Sequence, residues 1–174
     1  MEHESPAGWR MAMLSHVGRV RARNEDFVFC DEALGIAVLA DGMGGHAGGN
    51  VAARLAVDAW VGRIRKCLVE PLGERDLRVA VADANRVVFA AACADPALRR
   101  MGTTLVAACL RRDDTLLTCN VGDSRLYRLR GDVLSCLTRD HSVLRAQCDA
   151  GMIESESNGP LALRGLLTRA VGVA

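Results

Sequence analysis

The spacing of apolar positions changes character several times along the chain, and each change predicts an element. Met11 to His16 reads as a first strand, followed by a polar turn at Val17, Gly18 and Arg19. Phe27 to Asp31 and Ile36 to Ala40 are two apolar runs joined by a short turn, the pattern of a β-hairpin. The second run ends at Asp41 and gives way to a glycine-rich loop, Gly42 to Gly49. From Asn50, an N-cap candidate, Val57, Val61, Ile64 and Leu68 recur at helical spacing. After Pro71, Leu72 and Gly73 that spacing returns in Leu77, Val81, Ala84 and Val88. Two amphipathic helices therefore form a hairpin with a shared apolar side.

Strand patterns resume at Thr103 to Leu110, Thr115 to Val121, Ser124 to Leu129 and Val133 to Leu137. In the third of these, Leu126, Arg128 and Arg130 alternate with Tyr127 and Leu129, which predicts a half-buried strand. His141 to Ala150 reads as a short helix stopped by Gly151, with His141 as its cap, and Pro160 to Val173 shows no clear period. Strands, a helix pair and then a meander predict an α+β domain with antiparallel sheet and helices on a face.

A length of 174 residues suits one domain, residues 1–174, with half the positions hydrophobic and a quarter charged. A net charge of +1 supplies no field for nucleic acid or an anionic membrane. No run approaches the roughly 20 apolar residues that cross a bilayer. The first ten residues are polar and lack the apolar middle of a signal peptide. The seven cysteines are scattered and never spaced Cys-x-x-Cys, which argues against a disulfide framework or zinc and for a reducing cytoplasm.

The chemistry concentrates where an apolar strand delivers Asp41 to a run of small residues, Gly42-Met43-Gly44-Gly45-His46-Ala47-Gly48-Gly49. A carboxylate beside a backbone carbonyl is a pair of hard oxygen donors, suited to Mg²⁺ or Mn²⁺. The segment also matches the loose dinucleotide pattern G-x-G-x-x-A. However, Asp41 would repel a pyrophosphate there, and two helices rather than one precede the next strand. A P-loop fails, because no Gly-Lys-Ser/Thr follows. Upstream, Arg19, Arg21 and Arg23 alternate through a loop that ends in Asn24-Glu25-Asp26. An arginine there could grip phosphate in bidentate fashion, and the acids could hold a metal or its waters. Downstream, Asp123 lies between two strand segments. Taken singly, each of these is an ordinary charged or Asp-containing turn.

Taken together, the sequence resembles the bacterial branch of the type 2C, metal-dependent serine/threonine protein phosphatases. The matching segments are Gly18 to Asp26, Ala40 to Gly49, Met101-Gly102-Thr103-Thr104, Val121 to Arg125, Thr138 to Ser142 and Leu167 to Gly172, in order along nearly the whole chain. The resemblance implies a β-sandwich of antiparallel sheets flanked by antiparallel helix pairs, layered α-β-β-α. It implies hydrolysis of phosphoserine and phosphothreonine in proteins by a water activated by two Mn²⁺ or Mg²⁺ ions, with a third in some members. Carried over by position, Asp41 would bridge the two metals and the Gly42 carbonyl would bind one. Glu25 would hold a water of the metal shell with Asp26 in support, and Asp123 would serve the third site. Arg21 would clamp the phosphate. His46 is the candidate acid for the leaving alkoxide, although Met43 stands where animal members have that histidine. His3 and His16 offer no case for function. The implied partners are phosphoproteins and a eukaryotic-type serine/threonine kinase.

The family pattern continues into a Ser-Asp-Gly segment and a final Asp-Asn pair that complete its metal site, and neither occurs here. The resemblance therefore describes a domain shortened at its C-terminal side, with weak metal binding and exposed apolar sheet edges. The alternative function is a phosphoprotein- or kinase-binding pseudophosphatase without turnover.

Overall fold

Residues Ile36–Met43 alternate between fully buried and more open positions, and this alternation decides the layering of the fold. In the computed structural model, which describes residues 9–44, 48–67 and 72–173, this strand (β2) lies antiparallel to β1 (Asp26–Asp31). Ile36, Val38, Ala40 and Gly42 face the core, while Ala37, Leu39, Asp41 and Met43 turn the other way. Two long helices cover the core-facing side: α1 (Gly48–Cys67) lies on the sheet, and α2 (Glu74–Ala94) packs antiparallel against α1. Both helices bury small residues, Ala52, Ala53 and Ala56 on α1 and Ala80 and Ala84 on α2. Trp60, Ile64 and Val57 of α1 are buried in the same core as Ile36, Val38 and Ala40 of β2.

The sheet continues through β4 (Leu105–Leu110) and β5 (Leu116–Val121) in the order β1-β2-β4-β5, all antiparallel. A two-residue strand, β3 (Gly102–Thr103), pairs with the far end of β2. Separate from this sheet are a hairpin, β6 (Tyr127–Arg130) with β7 (Val133–Cys136), and a short helix, α3 (Val143–Asp149). Arg125 links them by pairing with Asp140, at 2.6 Å, and with Glu156. The architecture is α+β, with antiparallel sheets and an antiparallel helix pair on one outer face.

Several local expectations change. Met11 to His16 is not a strand: the Met11 N–H goes to the Glu32 carboxylate rather than to a neighbouring strand. β2 runs past Asp41 to Met43 because β3 offers Gly42 and Met43 a partner, so the first part of the glycine-rich segment is strand, not loop. α1 begins at Gly48, two residues before Asn50, which leaves Asn50 inside the first turn rather than at the cap. Leu68 and Pro71 lie outside the described residues. β6 is exposed along its whole length rather than half-buried, since no described layer covers either of its faces. His141 does not cap α3. The Ser142 hydroxyl does, accepting the Arg145 N–H at 3.1 Å.

The side of the sheet away from the helices carries Val28, Cys30, Leu39, Val106 and Ala108. With Met13, Leu14 and Leu126 alongside, they line an apolar groove of about 280 Å³. Among the described residues Trp60, on α1, is the largest fully buried side chain. Truncating it leaves a cavity in the core. Trp60→Ala is expected to cost about 3–5 kcal/mol, read as a lower urea midpoint with little change in slope.

Candidate functional site

One rung of the β1–β2 ladder carries a carboxylate on each strand, Asp26 directly opposite Asp41. Like charges on one rung repel, so a sheet selected only for stability would avoid the pair. Strand alternation puts both on the side away from the helices, at the end of the apolar face, where they open into a cleft of about 480 Å³. The same cleft is lined by Arg21, Glu25, Gly42, Thr104 and Asp123. The structure thus brings together every candidate named from the sequence except His46, which lies outside the described residues.

Asp41 is held rigidly from below. Its N–H donates to Thr104 Oγ1 at 2.9 Å, and its carbonyl accepts both the Thr104 N–H and the Thr103 hydroxyl at 2.9 Å. Thr104 Oγ1 in turn meets Ser124 Oγ at 2.7 Å, tying the loop that carries Asp123 to the strand that carries Asp41. His141 braces the other side of that loop: its N–H donates to the Gly122 carbonyl, and its Nδ1 accepts the Gly122 N–H at 3.2 Å.

Two glycines let the pieces meet. A Cβ on Gly42 would collide with the Gly49 carbonyl, and a Cβ on Gly49 would stand 2.8 Å from Glu25 Oε1. Bare backbone at both positions therefore seats the Glu25 side chain against the first turn of α1. The Gly42 N–H closes the arrangement by donating to the Glu25 carbonyl at 3.1 Å. Arg21 reaches out from its loop, 79% exposed, with its guanidinium 3.9 Å from a Glu25 carboxylate that is 19% exposed.

Burial pushes the Asp41 carboxyl up to about 6, helped by repulsion from Asp26, a hydrogen bond shared with it, and repulsion from Asp123, while Arg21 pulls the other way. A carboxylate that resists ionisation beside two others is an anionic cluster short of positive charge. Its donors are all hard oxygens, which fits a divalent cation such as Mg²⁺ or Mn²⁺. Among the described residues, no group of three or more acidic, histidine or cysteine side chains stands close enough to hold a metal ion by itself. Water and backbone carbonyls would have to fill the remaining positions, as Mg²⁺ commonly allows.

The sequence reading missed the threonine brackets, Ser124, and His16, which also lines the cleft. Met101-Gly102-Thr103-Thr104 was visible as a matching segment, but nothing in it signals that its hydroxyls hold a strand 62 and 63 residues away.

The raised Asp41 carboxyl has a signed consequence for stability. Between about pH 4 and 6 the folded chain keeps a proton that the unfolded chain has released, so stability falls as pH rises through that window and is level above it. In metal-free buffer, urea midpoints measured from pH 4 to 8 should show this decline, and Asp41→Asn should flatten it. Asp26→Asn, which relieves the like-charged rung, should stabilise the chain at pH 7 by about 0.5–1 kcal/mol.

The chain is 38% identical over 163 residues to the serine/threonine phosphatase stp of Listeria monocytogenes, matching 90% of this chain and 64% of that protein. It therefore spans less than two thirds of that relative. The crystal structure of the Mycobacterium tuberculosis serine/threonine phosphatase PstP/Ppp superposes with a TM-score of 0.80 at 35% identity, covering 92% of this chain and 67% of that one. A structure of the PstP catalytic domain in complex with two manganese ions gives 0.75 at 35% identity, covering 91% and 65%. The Protein phosphatase 2C family profile matches residues 15–148, well over half of the chain, and the chain belongs to that family.

Proposed function

We propose that this chain acts in the hydrolysis of phosphoserine and phosphothreonine in proteins, assisted by Mn²⁺ or Mg²⁺. The observation that carries the reading is the grouping of three carboxylates, Asp26, Asp41 and Asp123, in one cleft with the Arg21 guanidinium. Arg21, which lines the cleft, binds phosphoryl oxygens. The carboxylates of Asp41, Glu25 and Asp123 and the Gly42 carbonyl are the groups that would hold the cations, two of them and in some states a third. Divalent cations at such a site lower the pKa of water and neutralise charge on phosphorus during an in-line displacement.

No cysteine lines the cleft among the described residues, so water, not a thiol, is the nucleophile. His46 is assigned to protonate the leaving alkoxide. The substrates are phosphoproteins, and the natural counterpart is a serine/threonine kinase that phosphorylates them. All seven thiols are free, which supports a reducing, cytoplasmic setting. Among the described residues no helix is long and apolar enough to cross a membrane.

A second reading, binding of a phosphoprotein without turnover, is favoured by the incomplete ligand set. Assays with para-nitrophenyl phosphate and a phosphothreonine peptide in Mn²⁺ separate the two. Turnover that Asp41→Asn abolishes supports hydrolysis, whereas peptide binding with no turnover supports the alternative. Arg21→Ala should lower kcat/KM for the peptide by roughly 30-fold, the loss of about 2 kcal/mol from a hydrogen bond to a charged group.

A further inference from the structure

The loop that carries Arg21 also holds His16 against the cleft, and the hydrogen bonds around it define what its ring can do. The Gly18 N–H donates to His16 Nδ1 at 2.9 Å. A backbone N–H can only donate, so Nδ1 presents its lone pair, and the proton of the neutral ring sits on Nε2. The tether depends on a turn in which Gly18 takes φ +78°, a conformation glycine adopts without a Cβ penalty. The loop is pinned a second time at its base. The Asn24 amide donates to Ser15 Oγ at 2.6 Å, while its carbonyl oxygen accepts the Asp26 N–H at 3.1 Å. The residue before His16 is thereby tied to the residue that aligns Asp26, and His16 lines the same cleft as Arg21, Asp41 and Asp123.

The carboxylates of that cleft, when ionised, are acceptors only and cannot hydrogen-bond phosphoryl oxygens themselves. Donors must come from the rim. We propose that His16 is a substrate-binding residue: its Nε2–H donates to a non-bridging phosphoryl oxygen of the substrate beside Arg21. The inference rests on the phosphoprotein reading of the cleft. It differs from general-acid catalysis, because a proton-transferring imidazolium would carry hydrogen on Nδ1 and lose the Gly18 tether. Here Nε2–H donates a hydrogen bond and no proton is transferred.

The test uses the full chain labelled with ¹⁵N-histidine, the His16 signals being assigned by their loss in His16→Gln. The expected spectrum shows a lone-pair Nδ1 and a protonated Nε2 for His16. The Nε2 signal should move on addition of a phosphothreonine peptide and, at higher concentration, inorganic phosphate. His16→Ala should weaken peptide binding roughly tenfold, the loss of one hydrogen bond to an anion, and His16→Gln, which keeps an N–H at a similar reach, should recover most of it. A doubly protonated ring, signals that ignore the peptide, movement with inorganic phosphate alone, His16→Ala binding like the parent, or His16→Gln binding as poorly as His16→Ala each overturn the proposal. Circular dichroism melts of both variants establish that they are folded. Turnover of para-nitrophenyl phosphate by the parent chain is scored separately. Turnover with an unmoved His16 removes this inference alone, and a peptide-responsive His16 without turnover removes hydrolysis alone.

Discussion

Two carboxylates held on a single rung of an antiparallel ladder are the constraint around which the rest of this structure is arranged. Asp26 and Asp41 would separate if their strands could slip or splay, and the surrounding bonds prevent both. Thr103 and Thr104 grip the Asp41 backbone from one side, while the register from Asp26–Asp41 to Asp31–Ile36 holds β1 against β2 on the other. Gly42 and Gly49 permit the close approach that anchors Glu25 beneath α1. The repulsion stored in the rung raises the affinity of the site for whatever positive charge enters it, whether a proton, a guanidinium or a divalent cation. Stability is given up locally to create that appetite, and the buried core under the helix pair offsets it.

The same alternation that builds the core also aims the site. Every second residue of β2 is committed to the helix layer, so Asp41 is placed on the opposite face with Ala37 and Leu39. That face is apolar along most of its length and acidic only at one end. Its apolar part stays open as a groove, and the β6–β7 hairpin shows Leu129, Val133 and Leu134 to solvent. Such surfaces invite association. β1, an edge of the sheet, is partly shielded by arginines of α1: Arg54 stacks over Phe27, and Arg65 over Phe29 while pairing with Asp31.

The cleft is assembled from segments far apart in the chain. The arginine loop, the end of β2, the Thr103–Thr104 pair and the loop after β5 meet through backbone and hydroxyl contacts rather than through carboxylate pairing. His141 illustrates the logic. It stands at a helix start, but its ring and backbone are spent on Gly122, so it positions the Asp123 loop while Ser142 takes over the cap.

Periodicity alone determined the helical hairpin, the β1–β2 and β4–β5 pairs and the α+β class, because burial of one face imposes a repeat that a single sequence displays. The carboxylates and arginine of the cleft were legible only as a set, since each alone is an ordinary charged turn and it is the ordered series of segments that resembles the family. What tertiary structure decided was everything that needs a partner distant in sequence. β2 extends past Asp41 because β3 lies beside it, and Met11 to His16 stays irregular because, among the described residues, no strand pairs with it. β6 keeps its alternation yet gains no burial, since a pattern marks a face without supplying the layer to cover it. That Asp26 and Asp41 share a rung depends on strand register, and that His16 borders the cleft depends on a left-handed turn at Gly18. Neither is encoded in local composition. Both follow from geometry that appears only once the chain has closed on itself.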